Sequence, residues 1–277
     1  MKGSLYIVGT PIGNLGDISP RAAQTLESVD FIAAEDTRVS IKLLNHLEIK
    51  KPLVSYYEHN KKASGEKLLA RMEGGESCAL ITDAGMPAVS DPGYELVKAC
   101  ADAGIKVVVI PGPSALIAAI AGSAIPSGRF TFEGFLSTSK QSRFRHLDEL
   151  RTEKRTMIFY EAPHKLLQTL RDMLDTFGDR EITIARELTK IHEEFLRTTL
   201  RGAIEHFEVT LPRGEFVLVL AGMQEEEKSP VPIDEAIKAV GAYKAEGNSL
   251  KKAAELAAAE TGYSKNELYN LYIRNNG

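Results

Sequence analysis

The chain has 277 residues, 43% of them hydrophobic and 26% charged, which is enough apolar material for one large core or two medium ones and excludes a disordered chain. A formal net charge of -4 excludes attraction of nucleic acid by the whole field, so a polyanionic partner would have to be held by a local basic face. The two cysteines, Cys78 in an apolar run and Cys100 in a helical pattern, show neither a disulfide framework nor metal spacing and read as buried free thiols.

Met1-Lys2-Gly3-Ser4-Leu5 enters a strand directly, without the apolar stretch of a signal peptide or membrane span, so a cytoplasmic protein without membrane contact is expected. Apolar β-branched runs then alternate with amphipathic ones. Strands are expected at 4–9, 29–34, 78–82 and 105–110, with helices near 20–27, 39–47, 61–73 and 92–103. That alternation implies βαβ units and a largely parallel sheet. Ser19-Pro20 and Asp91-Pro92 each place an N-cap side chain before a proline at the first helical position, and Ser114 precedes a helical run from Ala115 to Ile120 as its cap.

Three strand ends share one grammar. Val8-Gly9-Thr10-Pro11-Ile12-Gly13-Asn14-Leu15-Gly16-Asp17 follows the first strand, Thr82-Asp83-Ala84-Gly85-Met86-Pro87-Ala88-Val89-Ser90-Asp91-Pro92-Gly93 the third, and Pro111-Gly112-Pro113-Ser114-Ala115 the fourth. Rigid Gly- and Pro-bearing loops at strand carboxyl ends are where open α/β sheets bind small ligands, so one shared site is expected. The glycines of the first loop match neither the dinucleotide fingerprint nor a P-loop, whose lysine is missing, which leaves a ligand read by backbone amides and a carboxylate. Taken singly, each of these loops could be no more than a tight turn.

After Pro126-Ser127-Gly128 the pattern changes: strands at 129–135, 156–161, 181–186, 194–200 and 215–221 have fewer helices between them, Glu194 to Leu220 reads as hairpin-like, and a mixed sheet is expected. Between Lys140 and Arg155 six Lys/Arg face three Asp/Glu, with Phe144 between Arg143 and Arg145; this is either a basic docking surface or an exposed amphipathic helix. Tyr160-Glu161-Ala162-Pro163 puts an aromatic and a carboxylate at another strand end. Arg186 to Glu194 packs acid, base and imidazole together, although His192, Glu193 and Glu194 read as ordinary solvated residues. A charged, proline-bearing connector at 224–232 precedes helices near 233–246, 250–260 and 265–274. The last two, joined by Thr261-Gly262-Tyr263 and a Ser264-Lys265-Asn266-Glu267 capping box, outline either a helix-turn-helix or a small helical cap or dimerisation element, and seven Lys/Arg against six Asp/Glu from Lys228 onward leave the segment nearly neutral.

Together, the loop from Leu5 to Asp17, Ala34-Glu35-Asp36-Thr37-Arg38, Asp83-Ala84-Gly85-Met86-Pro87 with Ser90-Asp91-Pro92-Gly93, Pro111 to Ala115, Tyr160 to His164, and Arg186 to Lys190 with His192-Glu193-Glu194 resemble the tetrapyrrole methylase superfamily. Within it they are similar to the ribosomal RNA small subunit methyltransferase I family, which 2'-O-methylates a cytidine of 16S ribosomal RNA. Met86 departs from the pattern, standing where that family more often has threonine or another small polar residue.

The resemblance implies two α/β domains, at 1–112 and 113–224, holding S-adenosylmethionine between them, a helical domain at 232–277, and a homodimer without a metal. It assigns the cofactor site to Pro11, Asp83, Ala84, Gly85, Ser90, Ser114, Ala115, Tyr160 and Glu161. Candidates for the base, or for a cation favouring the alkoxide, are Glu35, Asp36 and Arg38 on one side and Glu187 with Lys190 on the other, with Glu187 as base and Lys190 as charge stabiliser the first choice. Arg38, Lys140, Arg143, Arg145 and the carboxy-terminal helices are the expected RNA contacts. A methyltransferase acting on a small tetrapyrrole, and a non-catalytic RNA-binding protein of the same fold, are the alternatives.

Overall fold

The computed structural model describes residues 1–224 and 231–276, and the chain forms two compact units, Met1–Met223 and Gln224–Gly277. In the first unit β1 (Ser4–Val8), β2 (Phe31–Ala34), β3 (Leu53–Ser55), β4 (Cys78–Ile81) and β5 (Lys106–Ile110) form a parallel sheet in the order β3-β2-β4-β1-β5. Strands such as Cys78-Ala79-Leu80-Ile81 are apolar throughout because helices cover both faces. On one face α3 (Lys61–Glu73) and α4 (Tyr94–Asp102) bring Leu68, Met72 and Leu96 against Leu5, Phe31 and Leu80. On the other, α1 (Pro20–Ser28) and α2 (Thr37–His46) bring Leu26 and Leu44 against Val8, Ile32 and Ile81. Cys78 and Cys100 are buried free thiols, pushed by burial up to about 12 and about 11.

Ser19 caps α1 as expected, its Oγ accepting from Ala22 N at 3.0 Å. Helix α2 begins two residues earlier than expected because Asp36 caps it, accepting from Arg38 N at 2.8 Å. Asp91-Pro92, by contrast, does not open α4. The N-cap there is Gly93, at φ +153°, and no side chain caps it. Ser114 does hold the N-cap position of α5 (Ala115–Gly122), yet its hydroxyl makes no capping hydrogen bond. Strand β3 is an addition; three residues between Pro52 and Tyr56 are too few to show a period.

The second sheet, β6 (Phe130–Phe135), β7 (Thr156–Glu161), β8 (Glu181–Arg186), β9 (Glu194–Thr199) and β10 (Phe216–Leu220), has the order β6-β7-β10-β8-β9. It is mixed, as expected: β6 and β7 run parallel and every other pairing is antiparallel. The hairpin expectation for Glu194 to Leu220 fails. Helix α8 (Leu200–Val209), capped by Thr199, separates β9 from β10, and β10 inserts between β7 and β8. With α6 (Lys140–Glu149) and α7 (Pro163–Phe177), α8 covers one face, where Leu147, Leu166, Leu170 and Phe207 meet Met157, Phe159 and Leu218. The other face is covered by α5, whose Leu116, Ala119 and Ile120 pack on Ile158, Val217 and Val219. Because α5 leaves the first sheet and packs on the second, it ties the two together.

The second unit contains α9 (Ile233–Ala245), α10 (Leu250–Thr261) and α11 (Lys265–Asn276) around Ala236, Val240, Ala253, Ala254, Ala257 and Leu268, all fully buried. Gly262 ends α10 in a left-handed conformation and Ser264 Oγ accepts from Glu267 N at 3.2 Å, so the turn between the last two helices is built as the sequence reads. Among the described residues no helix is long and apolar enough to cross a membrane.

Candidate active site

The loops after β1, β4 and β5 are fastened backbone to backbone. Thr10 and Gly85 form an isolated antiparallel bridge, with N–H donors reaching carbonyls at 2.9 and 3.1 Å, and the Thr10 hydroxyl donates to Thr82 O at 3.1 Å. Gly9 N donates to Ile110 O at 3.1 Å, and a Cβ on Gly112 would lie 2.8 Å from Gly9 Cα, so the first and third loops touch with no room for a side chain. The result is a stiff ledge at the carboxyl edge of the parallel sheet.

Facing it is the rim of the second sheet, where Phe216 stands in register with both Glu161 and Arg186, bringing the ends of β7 and β8 to the beginning of β10. A cavity of about 470 Å³ lies between ledge and rim. One wall is apolar, with Leu116, Leu188, Phe216 and Val217 beside the Tyr160 ring. That ring packs edge-on against Phe132 and Phe135 at 4.9 and 5.5 Å between centroids, and a bulge between Phe132 and Gly134 sets the pairing of Phe135 with Tyr160.

The other wall is acidic. Glu35, Asp83 and Asp91 all line the cavity. Burial pushes each carboxyl up; Asp91 and Asp83 push Glu35 further, Asp36 does the same to Asp83, and Asp83 to Asp91. Asp83 is fixed by accepting from Asp36 N at 3.1 Å. The neighbouring cation relieves Asp83 only in part, since Arg38 is committed to Asp36 at 2.6 Å and holds that carboxyl down at about 2. Partly desolvated carboxylates beside an apolar wall suit a ligand that is cationic at one end and apolar at the other.

Eight of the nine expected cofactor residues meet at this cavity: Asp83, Ala84, Gly85, Ser90, Ser114, Ala115, Tyr160 and Glu161. Pro11 stands outside the lining while its neighbour Ile12 is within it. The Glu161 carboxylate faces inward, accepting from Ala162 N at 2.8 Å and Thr169 Oγ1 at 2.5 Å, so it secures the start of α7. Met86, the departure from the family pattern, lines the ledge.

Of the expected catalytic residues only Glu35 lines the cavity. Glu187 and Lys190 form an ion pair of 3.0 Å outside it, and Lys190 also reaches Glu215 at 3.1 Å. Burial drives the Glu187 carboxyl up, but the Lys190 ammonium and the Glu215 N–H outweigh it and leave it below the ordinary range, the reverse of what a general base needs. Glu187 and Thr189 hold left-handed backbone conformations, φ +51° and +67°, a strain of about 1–3 kcal/mol each that the surrounding packing must offset.

The basic stretch divides. Lys140 and Arg145 are exposed on α6, but Arg143 points inward, pairing with Asp172 at 2.6 Å and donating to the carbonyls of Ser137 and Thr138. Its side chain is 12% exposed, so it anchors α6 and is not presented as a phosphate contact. His192, Glu193 and Glu194 are exposed.

Sequence reasoning missed Gly214, Glu215, Phe216 and Val217. They lie at the start of a strand, and only its antiparallel insertion brings that start to the rim where other strands end. Among the described residues no group of three or more His, Cys, Asp and Glu side chains is arranged to hold a metal ion.

Residues 4–204 match the family model of the Tetrapyrrole (Corrin/Porphyrin) Methylases, and residues 232–275 that of the RsmI C-terminal HTH domain. The fold, with its cavity between the edges of two sheets, is thus that of a tetrapyrrole methylase. Two solved structures share it: diphthine synthase, with a TM-score of 0.64 and 15% identity over 80% of this chain and 92% of that one, and uroporphyrin-III C-methyltransferase from Thermus thermophilus complexed with S-adenyl homocysteine, with a TM-score of 0.56 and 18% identity over 78% and 97%. Within this class the chain belongs to the ribosomal RNA small subunit methyltransferase I family. Its relative of that name from Synechocystis sp. is 48% identical over 272 residues, 98% of each chain. Another, from Thermotoga maritima, is 51% identical over 222 residues, 80% of this chain and 100% of that shorter protein.

Proposed function

We propose that the cavity binds S-adenosylmethionine and that the protein methylates a ribose 2'-hydroxyl of a cytidine in 16S ribosomal RNA. The observation that carries the donor is the meeting of three crowded carboxyls and an apolar wall in one cavity. A sulfonium with an ammonium-bearing tail relieves the first, and an adenosine suits the second. Asp83, Ala84, Gly85, Ser90, Ser114, Ala115 and Tyr160 are the residues to hold it, with Pro11 and Glu161 supporting the loops around them. When bound, this donor supplies a methyl group already activated by positively charged sulfur.

The chain then has to position the acceptor hydroxyl in line with the carbon–sulfur bond, and a rigid ledge fastened at three strand ends favours such positioning. Glu187 and Lys190 serve by fixing Glu215 at the far wall.

An RNA acceptor is supported by the name the full-length relatives share and by the match of the carboxy-terminal unit. With a net charge of -4, phosphate contacts fall to local exposed cations: Arg38, Lys140 and Arg145 are on the first unit, and the helices of the second add theirs. A homodimer belongs to the same proposal, supported by the exposed apolar side chains Val109 and Ile117 on β5 and α5. Incubation with methyl-labelled S-adenosylmethionine and assembled small subunits, naked ribosomal RNA or a tetrapyrrole precursor tests it. Label is expected in RNA, at a cytidine whose 3' linkage becomes resistant to alkali; label only in the tetrapyrrole overturns the acceptor, and no label in any of them overturns the transfer.

A further inference from the structure

Beside the cavity lies a second, polar groove of about 520 Å³, and the two share Glu35, Val89, Ser90 and Asp91 along their common border. The groove's remaining walls include Glu58, Lys61, Tyr94 and Glu95. Its one lysine is already shared between Glu58, at 2.7 Å, and Glu95, at 2.5 Å, which leaves the surface acidic. A phosphate would be repelled here, whereas hydroxyl and amino donors would be accepted, and Tyr94, exposed at the rim, offers a ring face.

Two carboxyls, Glu35 and Asp91, border both spaces. Asp91 is the more buried and sits in an irregular turn beside Ala88, itself at φ +65°. Glu35 directly follows β2 and precedes the capped start of α2, with Asp36 N tied to Asp83, so its backbone is held at both sides. Among the described residues no cation pairs with Glu35: the nearby Arg38 is committed to Asp36, and Lys61 to Glu58 and Glu95. A carboxylate on a held backbone, with no cation paired to it, on the border between the two spaces has the placement a general base requires.

We infer that the groove seats the uncharged sugar-and-base edge of the acceptor nucleotide, and that Glu35 is the catalytic residue that takes the proton from its hydroxyl. The inference rests on the methyl-transfer reading. As the oxygen–carbon bond forms, the carbon–sulfur bond breaks with its electron pair left on sulfur as a neutral thioether; the hydroxyl proton passes to a Glu35 carboxylate oxygen and then to solvent. Asp36, which caps α2, and Asp83 and Asp91 from the loop after β4 set the field around it, while Arg38 is paired with Asp36 and Lys61 from α3 and Glu95 from α4 line the same groove. Burial first, and then the acidic neighbours, raise the proton affinity of Glu35, which suits a base that must be ionised yet accept a proton.

The test compares Glu35→Gln, Glu35→Asp and Asp91→Asn in full-length protein, using labelled S-adenosylmethionine and small subunits, with donor affinity measured by calorimetry. Glu35→Gln is expected to lower kcat by about 10²–10⁴-fold, keep the donor Kd within about threefold of wild type, and abolish the acidic limb of the kcat–pH profile. Glu35→Asp should recover part of the rate with that limb shifted, and Asp91→Asn should act mainly on donor affinity. If Glu35→Gln turns over within about tenfold of wild type, or loses rate only through donor affinity, Glu35 is not the base. If the wild-type protein itself labels no RNA, the methyl-transfer reading falls first, and that outcome is distinct from the other two.

Discussion

Asp91 is held where ionisation is costly. Burial and the charge of Asp83 raise its proton affinity in the fold, so the ionised carboxylate destabilises the protein at pH values above its raised pKa. That cost fades as pH falls through the raised value toward the ordinary carboxylate range of about 4. Asp91→Asn is therefore expected to raise Tm at pH 7 by about 2–4 °C, what roughly 1 kcal/mol yields in a domain of this size, and to lose the advantage near pH 4. Calorimetric scans across that range check it; an unchanged or lower Tm at pH 7 would show that the acidic wall is not strained. At this scale the sequence was legible in kind but not in placement. Asp83, Ser90 and Tyr160 reach the cavity as their strand-end positions suggest. A cap, by contrast, depends on where a helix begins: a shift to Gly93 turned Asp91 from a cap into a lining residue. Nor can a run of basic residues reveal that Arg143 meets a buried Asp172 from another helix.

Among elements, the three loops of the ledge form one assembly. A Cβ on Gly112 would stand 2.8 Å from both Gly9 Cα and Gly9 O, atoms of the backbone that cannot swing aside. Gly112→Ala is expected to lower stability by about 1–3 kcal/mol in urea titration and to weaken donor binding by tenfold or more, since the loops after β1 and β5 must separate. Unchanged stability and binding would mean the loops adjust independently. This ledge was readable because parallel strands end on one edge, and their Gly- and Pro-bearing loops are local in sequence. The rim of the second sheet was not. Gly214 to Val217 arrives by a pairing of β10 with β7 and β8 that local patterns do not encode, and α8 lies within a stretch whose local pattern reads as a hairpin.

For the whole molecule, every residue of the cavity comes from the first unit, Met1–Met223. The Thermotoga maritima relative, matched over its full length by 80% of this chain, shows that a protein of the family exists at a shorter length. In the proposed function the donor is accordingly held by the first unit alone. The most direct measurement is isothermal calorimetry of S-adenosylmethionine binding to the wild-type protein and to Asp83→Asn, whose amide oxygen can still accept from Asp36 N while the charge is lost. The account predicts one donor site per chain, with affinity falling as pH drops through the raised carboxylate range and falling by about tenfold or more in the variant. Absence of binding, or equal affinity in both proteins at neutral pH, would contradict it.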